Sequence, residues 1–69
     1  MDEKELQRFR IQKGYLTIKE LSDMFGIGRD YIDYGINIGM LKYMSPNNKL
    51  RIVKLDDFIK YMEMNPRMN

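Results

Sequence analysis

Residues 16–39, which read LTIKELSDMFGIGRDYIDYGINIG, decide the fold of this chain. Thr17 and Glu20 have the spacing of a capping box, in which each side chain accepts a hydrogen bond from the other residue's backbone amide. Gly26 supplies the positive φ that commonly ends a helix. Between the cap and this glycine, apolar residues recur on one helical face: Ile18, Leu21, Met24 and Phe25. The pattern predicts a short helix between Thr17 and Gly26.

A second short helix is predicted from the residues that follow, ending at Gly39. Its inward face consists of Ile27, Ile32 and Ile36, and its outward face carries Arg29, Asp30, Asp33, Tyr34 and Asn37. Gly35 in the middle of this helix costs about 1 kcal/mol relative to alanine, so tertiary packing must hold it. Two short helices joined by a glycine-containing turn of about four residues are typical of a helix-turn-helix.

The periodicity then changes from helical to alternating. Leu41 and Tyr43 alternate with other residues before the turn signal of residues 45–48 (SPNN), and Leu50 and Ile52 alternate after it. We expect a β-hairpin with Pro46 near the turn and a positive φ at one of the two asparagines. A closing helix is predicted from its acidic first turn and its apolar spacing at Leu55, Phe58, Ile59 and Met62.

Charged residues dominate the first 14 positions, with Leu6 and Phe9 three residues apart. This spacing predicts a short amphipathic helix that stops near Gly14. The pattern leaves open whether that helix docks on the domain, mediates self-association or frays. We therefore divide the chain into a charged segment over residues 1–14, a domain over residues 15–63 and a flexible tail over residues 64–69.

Composition narrows the classes of function. The chain has 69 residues, enough for one domain, and contains neither cysteine nor histidine. These absences argue against thiolate or imidazole metal sites and against the usual nucleophile–base pairs, so we expect no enzyme, no metal and no cofactor. The apolar runs are too short for a membrane span or a signal peptide, and we expect a cytoplasmic protein.

Positive charge is concentrated in one stretch although the net charge is only +2. Residues 40–55 carry four cations and no acid, whereas residues 16–39 carry two cations and four acids. The cations of the basic stretch are Lys42, Lys49, Arg51 and Lys54. Such a stretch is either a solvated surface loop or an electrostatic contact to a polyanion.

The order helix, turn, helix, hairpin, helix resembles the winged-helix excisionase group and the DNA-binding half of MerR-type regulators. The match is carried by residues 16–21 (LTIKEL), residues 25–28 (FGIG), Ile32, Gly39 and Leu41 at the family's spacing. The resemblance covers Tyr15 to Glu63. It implies a mainly α-helical winged helix-turn-helix, with a two-stranded wing and a C-terminal helix, that binds double-stranded DNA.

This chain departs from the family pattern at two places. Gly28 stands where the family often has serine, so the second helix loses a side-chain cap. Asp30 and Asp33 lie on the helix face that is expected to approach DNA, where phosphates repel them. Asp33 also follows Arg29 by four residues, a spacing that allows an ion pair within the helix.

The resemblance implies DNA contacts from both the second helix and the wing. Arg29 is the candidate for reading guanine, unless a salt bridge within the helix sequesters it. Tyr34 would bond a phosphate or pack against the wing, and Asn37 would read adenine or cap the helix end. Basic residues of the wing would hold phosphates or the minor groove, or only make the hairpin soluble, and the first helix would touch a flanking phosphate. The residues concerned are Lys42, Lys49 and Arg51 in the wing and Lys19 in the first helix.

We expect a DNA-binding factor of a phage or other mobile element, either an excisionase-type accessory factor for a recombinase or a small transcription regulator. A domain this small makes few contacts, so useful specificity would need cooperative self-association on DNA or a partner such as an integrase. The alternative is a protein-interaction module that uses the acidic helix face, as an antirepressor or a replication or packaging modulator would.

Overall fold

The computed structural model describes residues 2–66 as four helices and one three-stranded antiparallel sheet. The helices are α1 (Glu3–Lys13), α2 (Ile18–Phe25), α3 (Arg29–Asn37) and α4 (Leu55–Met64). The strands are β1 (Tyr15–Thr17), β2 (Met44–Asn47) and β3 (Leu50–Lys54), in the sheet order β1-β3-β2. The fold is mainly helical, as predicted. Within this span no helix has the length and apolar character needed to cross a membrane.

The capping box at the start of α2 is confirmed. The Thr17 hydroxyl accepts from the Glu20 amide at 3.1 Å, and a Glu20 carboxylate oxygen accepts from the Thr17 amide at 2.8 Å. Gly26 ends α2 at a φ of 64°. Gly28 is the N-cap of α3 and provides no side-chain hydrogen bond, which confirms the predicted loss of a cap.

The predicted two-stranded hairpin forms as β2 and β3, but a third strand that the sequence did not predict, β1 over Tyr15–Thr17, joins it in the sheet. It pairs with β3 in the register Leu16↔Val53 and Thr17↔Ile52. Three residues are too few to show an alternating pattern, and the capping residue Thr17 belongs to both β1 and the start of α2. The extra strand makes β3 central and ties the hairpin to the helix pair.

The turn of the hairpin lies later than predicted. Pro46 belongs to β2, and the turn consists of Asn48 and Lys49. The side-chain oxygen of Asn47 closes it by accepting from the amides of Lys49 and Leu50, each at 2.9 Å. No residue other than glycine has a positive φ within residues 2–66. Proline is tolerated in β2 because β2 is an edge strand, which can spare one amide donor.

The main core lies between the inner face of the sheet and the helices α2, α3 and α4. Its buried members are Leu21, Ile32, Ile36, Leu41, Val53, Phe58 and Tyr61. Of the predicted inward positions, Ile32 and Ile36 are confirmed as buried, and Ile27 lies before α3 and packs partly buried against this core. Two other predicted positions were wrong, since Met24 on α2 is 59% exposed and Ile59 on α4 is 36% exposed. On α4, Tyr61 is buried together with Phe58 instead of Ile59. Leu41 packs in this core just before β2 instead of forming part of a strand.

The opposite face of the sheet is covered by α1. Side chains alternate across a strand, so Ile52 points away from the main core, and it is nevertheless fully buried. Leu6 of α1 is also buried. The ring of Phe9 stacks on the ring of Tyr15 of β1, with 5.7 Å between the ring centroids. Of the three possibilities left open for the N-terminal helix, the structure shows docking.

The end of α4 falls within the segment predicted to be a flexible tail. Met64 is its last residue, and the Asn65 side chain donates to the Tyr61 carbonyl at 3.3 Å. Residues 67–69 of that predicted tail lie outside the described residues.

Candidate nucleic-acid interface

An open groove runs between the start of α2, the start of α3 and the β2–β3 hairpin. We call it the basic groove, because four of the eight residues that line it are cations and one is an acid. The lining residues are Thr17, Ile18, Lys19, Arg29, Asp33, Lys49, Leu50 and Arg51. Four of the seven residues predicted to bind DNA therefore lie together.

Each cation reaches the basic groove from a different local position. Lys19 is in the first turn of α2, and Arg29 is the first residue of α3. Lys49 is in the hairpin turn, and Arg51 is on β3. The β1–β3 pairing brings the hairpin beside the start of α2, which sets these positively charged side chains around one concave surface.

Arg51 forms an ion pair with Asp33 across the groove. Its Nη2 atom lies 3.1 Å from Oδ1 of Asp33, and the two side chains are 40% and 38% exposed. A pair at this exposure contributes only about 0–1 kcal/mol to stability, because water and salt screen it. The pair links α3 to the hairpin and places one carboxylate inside an otherwise basic surface.

The spacing of four residues allows Asp33 to pair with Arg29 within the helix, but in the structure Asp33 pairs with Arg51 instead. Within residues 2–66, Arg29 takes part in no ion pair and is exposed. Its guanidinium is available to a ligand in the basic groove. The spacing between Arg29 and Asp33 did not predict the ion pair, because Arg51 of the hairpin competes with Arg29 for the Asp33 carboxylate.

The outer face of α3 carries the other two candidates of this helix. Tyr34 is 62% exposed, so its ring lies in solvent and is not buried against the hairpin. Asn37 is exposed, and its side chain makes no hydrogen bond within the described residues, so it does not cap α3. Neither lines the basic groove, but both are exposed on α3.

Lys42 lies apart from the other candidate residues. It precedes β2 and lines two shallow grooves together with Asp57 of α4. One of these grooves also contains Lys60. The grouping of Lys42 with Lys49 and Arg51 by their place in the sequence is not reproduced in space.

A second ion pair holds α1 to the start of α2. Nη1 of Arg10 lies 2.6 Å from Oε1 of Glu20, the same oxygen that accepts from the Thr17 amide. Partial burial raises the pKa of the Glu20 carboxyl, but hydrogen bonds from Thr17 and Arg10 outweigh it and leave the pKa below its ordinary value. The Glu20 carboxylate therefore stabilises contacts within the fold, to the Thr17 amide and to Arg10.

No cluster of three or more potential metal-ligating side chains occurs among residues 2–66. Comparisons with protein-family models, with curated proteins and with solved structures found no significant match to this chain.

Sequence reasoning missed the role of Asp33 as the partner of Arg51. The two residues are 18 positions apart and lie on elements of different type. Charge spacing along one helix has no bearing on such a contact. Only the placement of the hairpin against α3 reveals it.

Proposed function

We propose that this protein binds double-stranded DNA as a winged helix-turn-helix domain. The observation that carries the proposal is the basic groove, where Lys19, Arg29, Lys49 and Arg51 converge from two helices and a hairpin. A phosphate backbone is the ligand that best fits several cations spread along an open surface, because each neutralised phosphate releases counterions.

The arrangement of the elements supports this assignment. Helices α2 and α3 are joined by three residues that include two glycines, and the β2–β3 hairpin lies at the start of both helices. In a helix-turn-helix the second helix enters the major groove and the first crosses the backbone. On this view α3 reads bases and the β2–β3 hairpin is the wing.

The candidate residues then take distinct roles. Arg29 reads a guanine edge at the start of α3, and Tyr34 and Asn37 contact the DNA from the exposed face of that helix. Lys19 holds a flanking phosphate, while Lys49 and Arg51 hold phosphates from the wing. Lys42, on the side of α4, contributes only if the DNA extends around the hairpin.

The surface is small, and this favours an accessory role. Four groove cations and three other candidates support a weak single-site interaction, which cooperative copies or a partner protein would strengthen. We place the protein in the cytoplasm as a phage or mobile-element factor. An excisionase-type factor that directs a recombinase is the most specific form of the proposal, and a small transcription regulator is the other.

The ion pair also weakens the case for a protein-binding module built on the acidic face of α3. Asp33 already has a cationic partner in Arg51, which a basic protein would have to displace, and Asp30 is the acid of α3 that has no ion pair. One exposed carboxylate is a poor basis for recognising a basic protein partner.

Salt dependence tests the proposal directly. Binding of a random-sequence 20-base-pair duplex is measured by fluorescence anisotropy between 50 and 200 mM salt, a range of about fourfold over which phosphate contacts weaken strongly. In nonspecific binding to this random duplex all four groove cations, Arg29 included, neutralise phosphates, which predicts a slope of log affinity against log salt of about −3 to −4. Absence of binding at the lowest salt would refute DNA binding.

Arg51→Ala tests the wing. Loss of one phosphate contact is expected to lower affinity and to make the salt slope shallower by about 1. Lys60→Ala on α4 is the matched control, since it removes the same charge outside the basic groove. Equal effects of the two substitutions would show that the groove is not the contact surface.

A further inference from the structure

The Asp33 carboxylate contacts one of the guanidinium nitrogens through which Arg51 would bind a phosphate. Its carboxylate oxygen lies 3.1 Å from a guanidinium nitrogen, within the basic groove. Carboxylates and phosphates bind arginine through the same planar fork of N–H donors. A phosphate that approaches this guanidinium therefore meets an anion already in place.

The ion pair is weak enough to exchange. Both side chains are more than one-third exposed, and no other residue of the described chain donates to the Asp33 side chain or pairs with Arg51. Water can therefore replace either partner at low cost. The pair does not form part of the buried core, so its opening leaves the fold intact.

We propose that Asp33 is an internal competitor for DNA phosphate, which holds Arg51 in the free protein and releases it when DNA binds. This inference rests on the proposed function and adds a regulatory feature of the same site. A phosphate that binds the Nη2 side of the Arg51 fork must displace Asp33, so the affinity gained from Arg51 is reduced. Single-site binding stays weak, and productive binding depends on further contacts from neighbouring copies or a partner.

A double-mutant cycle in the full chain distinguishes competition from simple repulsion. The four proteins are the wild type, Asp33→Asn, Arg51→Ala and the double variant, and the probe is the same random-sequence duplex. If Asp33 competes, Arg51→Ala costs more affinity in the Asp33→Asn background than in the wild type, by a factor of up to about five. If Asp33 only repels DNA, the cost is equal in both backgrounds.

Asp30→Asn provides the control, because Asp30 is an exposed acid on the same helix without an ion pair in the described chain. Arg51→Ala is expected to lower DNA affinity by the same factor in the Asp30→Asn background as in the wild type. Circular dichroism confirms that each variant is folded.

Three results would overturn the inference. If Arg51→Ala lowered DNA affinity by the same factor with and without the Asp33 carboxylate, the inference would be overturned and DNA binding would stand. The same holds if Asp30→Asn changed the effect of Arg51→Ala as much as Asp33→Asn does. Failure of the wild type and of Asp33→Asn to bind the duplex at low salt would overturn both the inference and the proposed function.

Discussion

Gly35 shows how a residue that weakens a helix locally is required by tertiary packing. A Cβ atom at this position would lie 2.5 Å from Cζ of Tyr61, well inside van der Waals contact. The absence of a side chain lets the Tyr61 ring lie directly on α3, where its hydroxyl donates to the Tyr31 carbonyl at 3.1 Å. Burial, with the Tyr31 and Tyr34 phenols adding to it, raises the pKa of Tyr61.

Gly35→Ala is therefore expected to destabilise the protein although alanine favours helices. Overpacking costs about 1–3 kcal/mol, and a Cβ only 2.5 Å from the Tyr61 ring favours the upper part of this range, which exceeds the propensity gain of about 1 kcal/mol. Urea denaturation measures the difference. Asn37→Ala at the exposed end of α3 is the control and should stay within about 0.5 kcal/mol of the wild type. A Gly35→Ala protein more stable than the wild type would contradict the packing argument.

Glu20 links stability to pH. Its pKa is lowered in the folded protein from an ordinary value of 4.5, so its carboxylate stabilises the fold above that value. This contribution is lost as the pH falls below 4.5 and through the folded-state pKa, because the protonated acid accepts from Thr17 and Arg10 more weakly.

Glu20→Gln is expected to lower the free energy of unfolding at pH 7 by about 0.5–1 kcal/mol and to flatten its decline in acid. Urea denaturation between pH 7 and pH 3 checks both expectations. Glu63→Gln, at an exposed position on α4 with no hydrogen bond in the described chain, should retain the wild-type acid dependence. Matching acid profiles for the two variants would remove Glu20 from this role.

At the scale of the elements, α1 completes the sheet. The face of the sheet that points away from the main core holds Ile52 and Tyr15, which would meet water without a covering helix. Leu6 and Phe9 provide that cover, and the Arg10–Glu20 pair attaches α1 to α2. The N-terminal segment is thus an integral part of the domain.

Leu6→Ala should destabilise the whole domain by about 2 kcal/mol, because it opens a cavity between α1 and the sheet. Ile11→Ala is the matched control on the same helix, since Ile11 is 73% exposed and its loss should cost less than about 0.5 kcal/mol. Thermal denaturation compares them. If the two variants had the same melting temperature, the packing of α1 would contribute little to stability.

At the scale of the whole molecule, the length of the elongated domain limits how many base pairs one copy can contact in the proposed DNA complex. The longest dimension is 39 Å, against 20 Å and 17 Å for the other two. At 3.4 Å per base pair, one copy lying along the duplex can cover about 11 base pairs.

A hydroxyl-radical footprint on a site selected from random duplexes should therefore protect no more than about 11 base pairs per copy. Protection of about twice that length would mean that two copies bind side by side, as expected for a weak single-site binder. The mass of the complex, measured by native mass spectrometry, distinguishes one long contact from two copies.

Local sequence was sufficient to predict α1 to α4 and the hairpin, because the signals for these elements act over a few residues. The Thr17–Glu20 capping box, Gly14 and Gly26 with their positive φ values, and the isoleucine spacing of α3 are all of this kind. The concentration of cations near the hairpin was visible in the same way.

Tertiary structure decided the features that join residues far apart in the chain. Strand β1 exists because β3 offers it a partner, and Gly35 is required because Tyr61 packs on it. Arg51 pairs with Asp33 because the fold brings β3 close to the middle of α3. Hydrogen bonds and ion pairs between elements depend on distances set by the packed core, and spacing along the chain does not contain those distances.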